Sequence, residues 1–557
     1  MAVTDASTPH PTIRSTGAPE RDASAISAGA LARSSAYVNA AQVWQLASRL
    51  VMTPVVLSHL GLEGYGAWAL VNTLCASAIA LDTAAGWTYA KLTAELDGRK
   101  DFALLSEVVS SGLLLAGGIA ALALTAVWVT HAWLIPLLGV PPSLFRQTEL
   151  ALVILSLAVE LKALGGCVLA VLAGCQRMDL QYRFIIAGSV VEFAIALPLL
   201  FAGVGMAALA LGVLGGTAVS IAAASRACRR LRPAIHVSPS RVSVAGIRSL
   251  LRVGVRFQSL VLIGSSARQA TRLLISSLYG AAALGTFSLA DRMLVVAGAP
   301  GLAIISPLMP AFATLGSERD FTRLQQLVVR ASKALAIAAA PPLLFASVCA
   351  GPILFGWTGQ RLPETEWAVR VLAPAEFFAL VAGVAAARLR ARGMVRPELT
   401  SEIIGTALAL AGLVIAYPLV GFAGSVAAVA LGRSAAALVF LRRFVSIEKL
   451  HGWPHFRATI IRPVLPLAGV AIALAIATWE LPGLRTATGG RAGVLGMIAL
   501  LGIAYALASA SVAWLVALSA GERARVLQLV RRRPRVAGDC AMDYTGAPPQ
   551  HRTRSDG

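Results

Sequence analysis

Charge is scarce in this chain, and negative charge is scarcest. Only 13% of its 557 residues are charged, 27 acidic against 48 basic, and aromatic residues supply only 6%. A soluble globule carries about 25% charged and about 45–50% apolar residues. Here the apolar share is 57% and the mean hydropathy +0.74, so a water-soluble domain is excluded. The net charge of +21 would in a soluble protein point to nucleic acid. The basic residues instead scatter over many short loops with no aromatic-interleaved patch, which argues against a nucleic-acid partner. Chemical motifs are missing too. Cys75, Cys167, Cys175, Cys228, Cys349 and Cys540 form no C-x-x-C, so neither a zinc site nor a disulfide follows. There is no G-x-x-x-x-G-K-[ST] phosphate loop for ATP hydrolysis and no Asp-x-Asp cluster for a metal-dependent glycosyltransferase. His59, His131, His451 and His455 sit at segment ends or in loops without metal-ligand spacing. No cofactor, metal or catalytic site is expected.

What is present is apolar length. From Ala36 onward, runs of about 20 residues recur, each long enough to cross the hydrocarbon core as a helix. The length rule yields about fourteen spans, twelve being compatible if neighbours merge. An all-α polytopic membrane protein is therefore expected. With the N-terminus inside, about 37 basic residues fall on the cytoplasmic side, about 4 outside and about 7 within spans. That bias favours both ends inside. Residues 1–35 read as a disordered cytoplasmic tail without a signal peptide. A six-helix half follows over 36–225, then a basic cytoplasmic linker over 226–253 and a second six-helix half over 254–445. Two extra helices (446–519) and a basic cytoplasmic tail (520–557) complete the chain.

The division into halves rests on a repeat. Arg49 is followed twelve positions on by Gly61 and five further by Gly66; Arg268 is followed in the same way by Gly280 and Gly285. Ala67, Trp68 and Leu70 then match Thr286, Phe287 and Leu289, at a constant offset of 219 residues. Internal duplication of this kind marks transporters whose substrate path lies between the halves.

Ionisable groups inside a span cost about 2.5–3.5 kcal/mol each and need a partner or a wet cavity. The basic ones are Arg49, Lys162, Arg256, Arg268, Arg272, Arg292 and Arg370; the acidic ones are Asp82, Glu160, Glu192, Asp291 and Glu376. Near neighbours such as Asp291 and Arg292, or Glu160 and Lys162, do not face each other on a helix, so their partners must lie elsewhere. Ser35, Asn39, Gln42, Gln45, Arg49 and Thr53 lie three or four apart on one helical face; Gln258, Ser265, Arg268, Arg272 and Ser276 form a second stripe. A cavity lined by both would favour an anion, since the planar guanidinium donates paired hydrogen bonds to phosphate. Equally, each Arg could pair with a membrane carboxylate and only hold helices together. Asp82, Asp291, Arg292 and Glu160 are the candidates for such coupling or structural pairs. The run Gly298-Ala-Pro-Gly301 is expected to break its helix.

The stretch Arg49 to Leu70, followed by Leu81-Asp82-Thr-Ala-Ala-Gly86, resembles the opening of bacterial polysaccharide flippases of the multidrug/oligosaccharidyl-lipid/polysaccharide exporter superfamily. Leu172-Ala-Gly-Cys-Gln-Arg177 is similar to the end of that family's fourth helix, and Tyr279-Gly to Ala290-Asp291-Arg292 to its seventh-to-eighth turn. The sequence departs from the pattern after Asp82, and at Arg268 and Arg272, where an acidic residue is common. The resemblance implies an inner-membrane flippase moving undecaprenyl-pyrophosphate-linked oligosaccharide units by alternating access. Its partners would be the bilayer, that substrate and the polysaccharide polymerase or export machinery, with Arg49, Arg268 and Arg272 meeting the pyrophosphate. A cation-coupled drug exporter of the same superfamily and a membrane polysaccharide polymerase or ligase are the alternatives.

Overall fold

A computed structural model describes residues 28–524 apart from 236, 310, 313–320, 451–453, 455 and 481–489. Within that range the side chains at 28–36, 39, 77–88, 239, 245, 249, 251–263, 321–322 and 479–480 lie outside the description. Among the described residues the secondary structure is helical throughout. In chain order the helices are α1 (Ala28–Gly98), α2 (Phe102–Leu137), α3 (Phe145–Gly174), α4 (Met178–Phe201), α5 (Met206–Leu231) and α6 (Val244–Ile305). Then come α7 (Phe321–Val348), α8 (Ala350–Thr358), α9 (Pro363–Ala391), α10 (Arg396–Leu419), α11 (Gly421–Ile447), α12 (Arg462–Glu480) and α13 (Gly490–Val512). Eleven helices among the described residues are long and apolar enough to cross a membrane. The chain is a multi-pass α-helical membrane protein.

The longest helices, α1 and α6, are each broken at one residue, and it is the repeat glycine in both cases. Gly61 has φ 70° and ψ 179°; Gly280 has φ 84° and ψ 176°. That backbone region is open to glycine and strained for any other residue. The break folds the arms of α6 back on each other. Arg272 and Asp291, nineteen residues apart, lie 2.8 Å from one another, whereas a straight helix would hold them about 28 Å apart.

The two glycine turns then pack face to face. A Cβ on Gly66 would lie 1.7 Å from the carbonyl oxygen of Ala281, and one on Gly285 would lie 2.7 Å from that of Leu62. Leu62 and Ala281 are themselves repeat partners, so the contact is reciprocal, as a two-fold relation between halves requires. Small residues let backbones approach closely where lipid supplies no hydrophobic drive. Around this seam Ala67, Leu70, Ile135, Leu138, Ala281 and Leu284 form one buried cluster, and Val56, Leu57, Tyr65, Leu200 and Leu289 another. Further hydrogen bonds cross at the same end: Ala281 N donates to Gly139 O at 3.1 Å and Ser276 Oγ to Leu138 O at 2.6 Å.

Helices extend beyond the apolar runs. α1 begins at Ala28, inside the expected disordered tail, because the Ala-rich segment 28–32 favours helix and continues the first span. The rest of that tail, and the C-terminal tail from 525, lie outside the described residues. The linker shortens from 226–253 to 232–243, since α5 and α6 run out into the basic segments. What remains is tied down. Arg232 grips Asp97 through Nε and Nη2 at 2.7 and 2.9 Å, and Ser243 caps α6 by accepting from Gly246 N at 2.8 Å. The expected break at Gly298-Ala-Pro-Gly301 does not occur: α6 continues through Pro300, and Gly298 and Gly301 instead let Leu380 and Ala339 pack closely.

At the C-terminal end α12 and α13 pack against α7 through Leu467, Leu474 and Tyr505 with Ala340 and Cys349. Lys333 of α7 also pairs with Glu522 at 2.7 Å. Burial alone would raise the Glu522 carboxyl, but the Lys333 ammonium and the Ser519 N–H and hydroxyl bring it down to about 2.

Three outcomes are expected. Gly66→Ala should destabilise the protein by about 1–3 kcal/mol in detergent thermal melts. Gly118→Ala, with nothing within 4 Å of the added Cβ, should be neutral or stabilising by about 0.5–1 kcal/mol. Because Glu522 is held below its unfolded value of about 4.3, its contribution is complete above about pH 5 and is lost as pH falls toward 2. The melting difference between wild type and Glu522→Gln should therefore be full at pH 7 and shrink below about pH 4.5.

Candidate functional site

Beneath the glycine seam the described charges gather around the inner faces of α1 and α6. Arg49 lies on the first arm of α1, twelve residues before its turn, and Arg268 holds the same place before the turn of α6. Both side chains are exposed on the protein surface. Among the described residues neither guanidinium makes a hydrogen bond or close ion pair. Charge nevertheless acts on each at longer range: Glu192 of α4 and Arg292 on Arg49, and Glu402 of α10, Arg433 of α11 and Asp291 on Arg268.

Arg272, Arg292 and Arg433 are engaged. Asp291 sits between two of them, accepting from Arg272 Nη2 at 2.8 Å on one oxygen and from Arg433 Nη1 at 3.1 Å on the other. Arg433 also lies over the Phe287 ring, 5.6 Å from its centroid. A carboxylate satisfied on both oxygens by guanidinium groups is the arrangement that makes a desolvated charge tolerable. Arg292 crosses to the other half, donating to Thr53 Oγ1 at 2.5 Å with its guanidinium 5.9 Å from the centre of the Tyr65 ring. Thr53 in turn donates to the Arg49 carbonyl at 2.7 Å.

The repeat is chemically unequal at this level. Thr53 and Asn72 occupy in the first half the places of Arg272 and Asp291 in the second. One half thus carries a salt bridge where the other carries neutral hydrogen-bonding groups, and Arg292 spans the difference.

The structure divides the expected site residues accordingly. Gln42 and Gln45 are exposed near Arg49, and their amides make no hydrogen bond among the described residues. The side chains of Asn39, Asp82 and Arg256 lie outside the description. For Arg272 the pairing reading is the one observed, and its partners differ from the sequence expectation in one respect. Asp291 finds Arg272 on its own helix, brought round by the Gly280 turn, as well as Arg433 on another. Among the described residues one buried carboxylate oxygen of Glu160 on α3 has no hydrogen-bond partner. Arg370 pairs with Glu366 one turn before it and donates to the Ser347 carbonyl, so its role is local. Among the histidines, His131 has a carboxylate partner after all, Glu149 at 3.0 Å.

Two contributors are absent from the sequence reading. Arg433 stands alone in an apolar run with no polar stripe around it, and Glu402 falls just ahead of a span. A single Arg in the middle of an apolar helix was the available signal for the first.

The helical fold is shared with solved transporters of the MOP superfamily. An inward-facing multidrug resistance MATE family transporter of that superfamily superposes with a TM-score of 0.65 at 17% identity, covering 76% of this chain and 99% of its own. The lipid II flippase MurJ, in an inward closed conformation, gives 0.63 at 11% identity over 86% and 98%. A MOP superfamily transporter from Pyrococcus furiosus, described by the reverse polarity of its binding pocket, gives 0.53 at 15% over 75% and 95%. These likenesses establish the fold. Residues 118–361 match the family described as polysaccharide biosynthesis protein, which supports the polysaccharide-flippase resemblance. No curated protein matches the chain.

Asp291→Asn would leave Arg272 and Arg433 facing one another without their shared anion. We expect a loss of about 3 kcal/mol in thermal stability, with Asp291→Asn/Arg433→Leu losing less than Asp291→Asn alone.

Proposed function

We propose that the chain flips undecaprenyl-pyrophosphate-linked oligosaccharide repeat units from the cytoplasmic to the periplasmic leaflet of the bacterial inner membrane. One observation carries this reading. Arg49 and Arg268, related by the repeat, are accessible and free of any close carboxylate among the described residues, while Asp291 occupies Arg272 and Arg433. Unengaged guanidinium groups suit a phosphate-bearing substrate, to which each can donate paired hydrogen bonds. The exposed Gln42 and Gln45 amides beside Arg49 offer hydrogen bonds to sugar hydroxyls, and the polyprenyl tail stays in lipid alongside.

The family match to polysaccharide biosynthesis proteins supports the substrate class, and a fold shared with a protein named as a lipid II flippase supports a transport role without catalysis. Alternating access follows from the halves closing on one another at the glycine seam and parting there to release. The basic helix ends, including Arg232, Arg388, Arg390 and Arg392, would face the cytoplasm. A polymerase or ligase would need catalytic residues in a large external loop.

The test is transport by purified protein in vesicles. Removing one charge-assisted contact costs about 1.5–3 kcal/mol, or about 10–100-fold. Arg49→Ala and Arg268→Ala should each slow translocation of the pyrophosphate-linked lipid by that factor with normal insertion, and the double variant should abolish it. Unchanged transport by the double variant removes these residues from the site.

A further inference from the structure

Pro54 interrupts the first arm of α1 one turn after Arg49. Proline has no N–H, so the carbonyl four residues earlier, that of Leu50, loses its helical partner. An unpaired carbonyl inside a membrane protein costs free energy unless another donor reaches it. Here the donor comes from the opposite half: Trp357 Nε1 lies 2.7 Å from Leu50 O. Trp357 stands at the end of α8, a nine-residue helix whose terminal carbonyls need partners of their own. They receive them from the C-terminal helix pair. Arg491, at the start of α13, donates through Nε to Gly356 O at 2.9 Å and through Nη2 to Trp357 O at 2.5 Å. Leu495 of α13 packs at Gly356 as well. A continuous path therefore runs from α13 through Arg491 and Trp357 to the backbone beside Arg49.

Leu138 is the repeat counterpart of Trp357, and it too takes part in a crossing between halves, through its carbonyl. That crossing involves a serine hydroxyl and one backbone carbonyl and touches neither arginine of the site. The Trp357 crossing is different in consequence, because it lands on the residue next to Arg49.

We propose that Trp357 is a positioning residue for Arg49, and that through Arg491 the two C-terminal helices set the orientation of the first arginine of the substrate site. This deepens the flippase reading and rests on it for the ligand, though not for the coupling. It gives the additional helix pair a task in the transport cycle, since any movement of α13 against α8 is felt at the Pro54 break. When the halves part at this end, the Leu50 carbonyl loses its donor, and α1 must reorganise around Pro54.

The experiment uses the full chain in lipid nanodiscs, with two readouts. Hydrogen exchange over residues 49–57 reports the order of the α1 segment without any ligand. Titration with undecaprenyl pyrophosphate reports the site. Trp357→Phe keeps the ring and removes only the donor; Arg491→Gln removes the anchor behind it. Both should raise exchange over 49–57 and weaken binding about fivefold, the worth of one hydrogen bond. Pro54→Ala restores a backbone N–H to Leu50 O, so in that background Trp357→Phe should change exchange and binding by less than about twofold. Exchange in Trp357→Phe equal to wild type overturns the proposal, and so does a change of the same size in the Pro54→Ala background. If wild type fails to bind undecaprenyl pyrophosphate while the exchange coupling is present, the flippase reading fails and the positioning of α1 by Trp357 stands.

Discussion

Everything in the interior depends on how closely two backbones approach at the glycine seam. Gly66 meets Ala281, Gly285 meets Leu62, and no side chain fits at either place. Because the contact is made by repeat-related residues on both sides, it fixes a two-fold relation between the halves rather than a mere adhesion. Each seam glycine sits five residues after a helix-breaking glycine, Gly61 or Gly280. The turn folds two arms together, and the seam then sets the paired arms of one half against those of the other. Arg49 and Arg268 stand at matching places, each twelve residues before its turn.

Within that interior the decisive question for each charge is whether another charge already holds it. Asp291 consumes Arg272 and Arg433; Thr53 and Tyr65 hold Arg292 in a mixed hydrogen-bonded and aromatic setting. Such compensated groups stiffen the second half and are poor at receiving a ligand, since displacing an established partner opposes binding. Arg49 and Arg268 are left with distant carboxylates, Glu192 and Glu402, that temper their cost without engaging their donors. The halves differ chemically here, a salt bridge in one standing where the other has Thr53 and Asn72.

The features legible in the sequence were those with local or periodic signals. Apolar runs marked the helices, and the repeat marked the turn glycines and the two arginines, because both depend on spacing along one chain. Pairing between distant segments was not legible. Nothing within the run around Arg433 announces Asp291, and nothing near Pro54 announces Trp357, three hundred residues on. Glycine and proline were ambiguous for a physical reason. Gly298, Pro300 and Gly301 look like a break, yet the helix runs through them because those glycines serve close packing at ordinary helical φ. Gly280 breaks it because its φ is positive. Composition alone does not separate a glycine that turns from one that packs. Charge runs misled in a different way, since α5 and α6 extend into the basic linker, and Arg232, just past the end of α5, finds an acidic partner in Asp97.

The central claim is that the cleft between the halves passes a pyrophosphate-linked oligosaccharide from one leaflet to the other. The most direct measurement is the leaflet occupied by that lipid in membrane vesicles from cells lacking the gene, read with an enzyme that reaches only one face. The account predicts single, unpolymerised repeat units accumulating on the cytoplasmic face. Single units already on the periplasmic face would contradict it and place the chain after translocation.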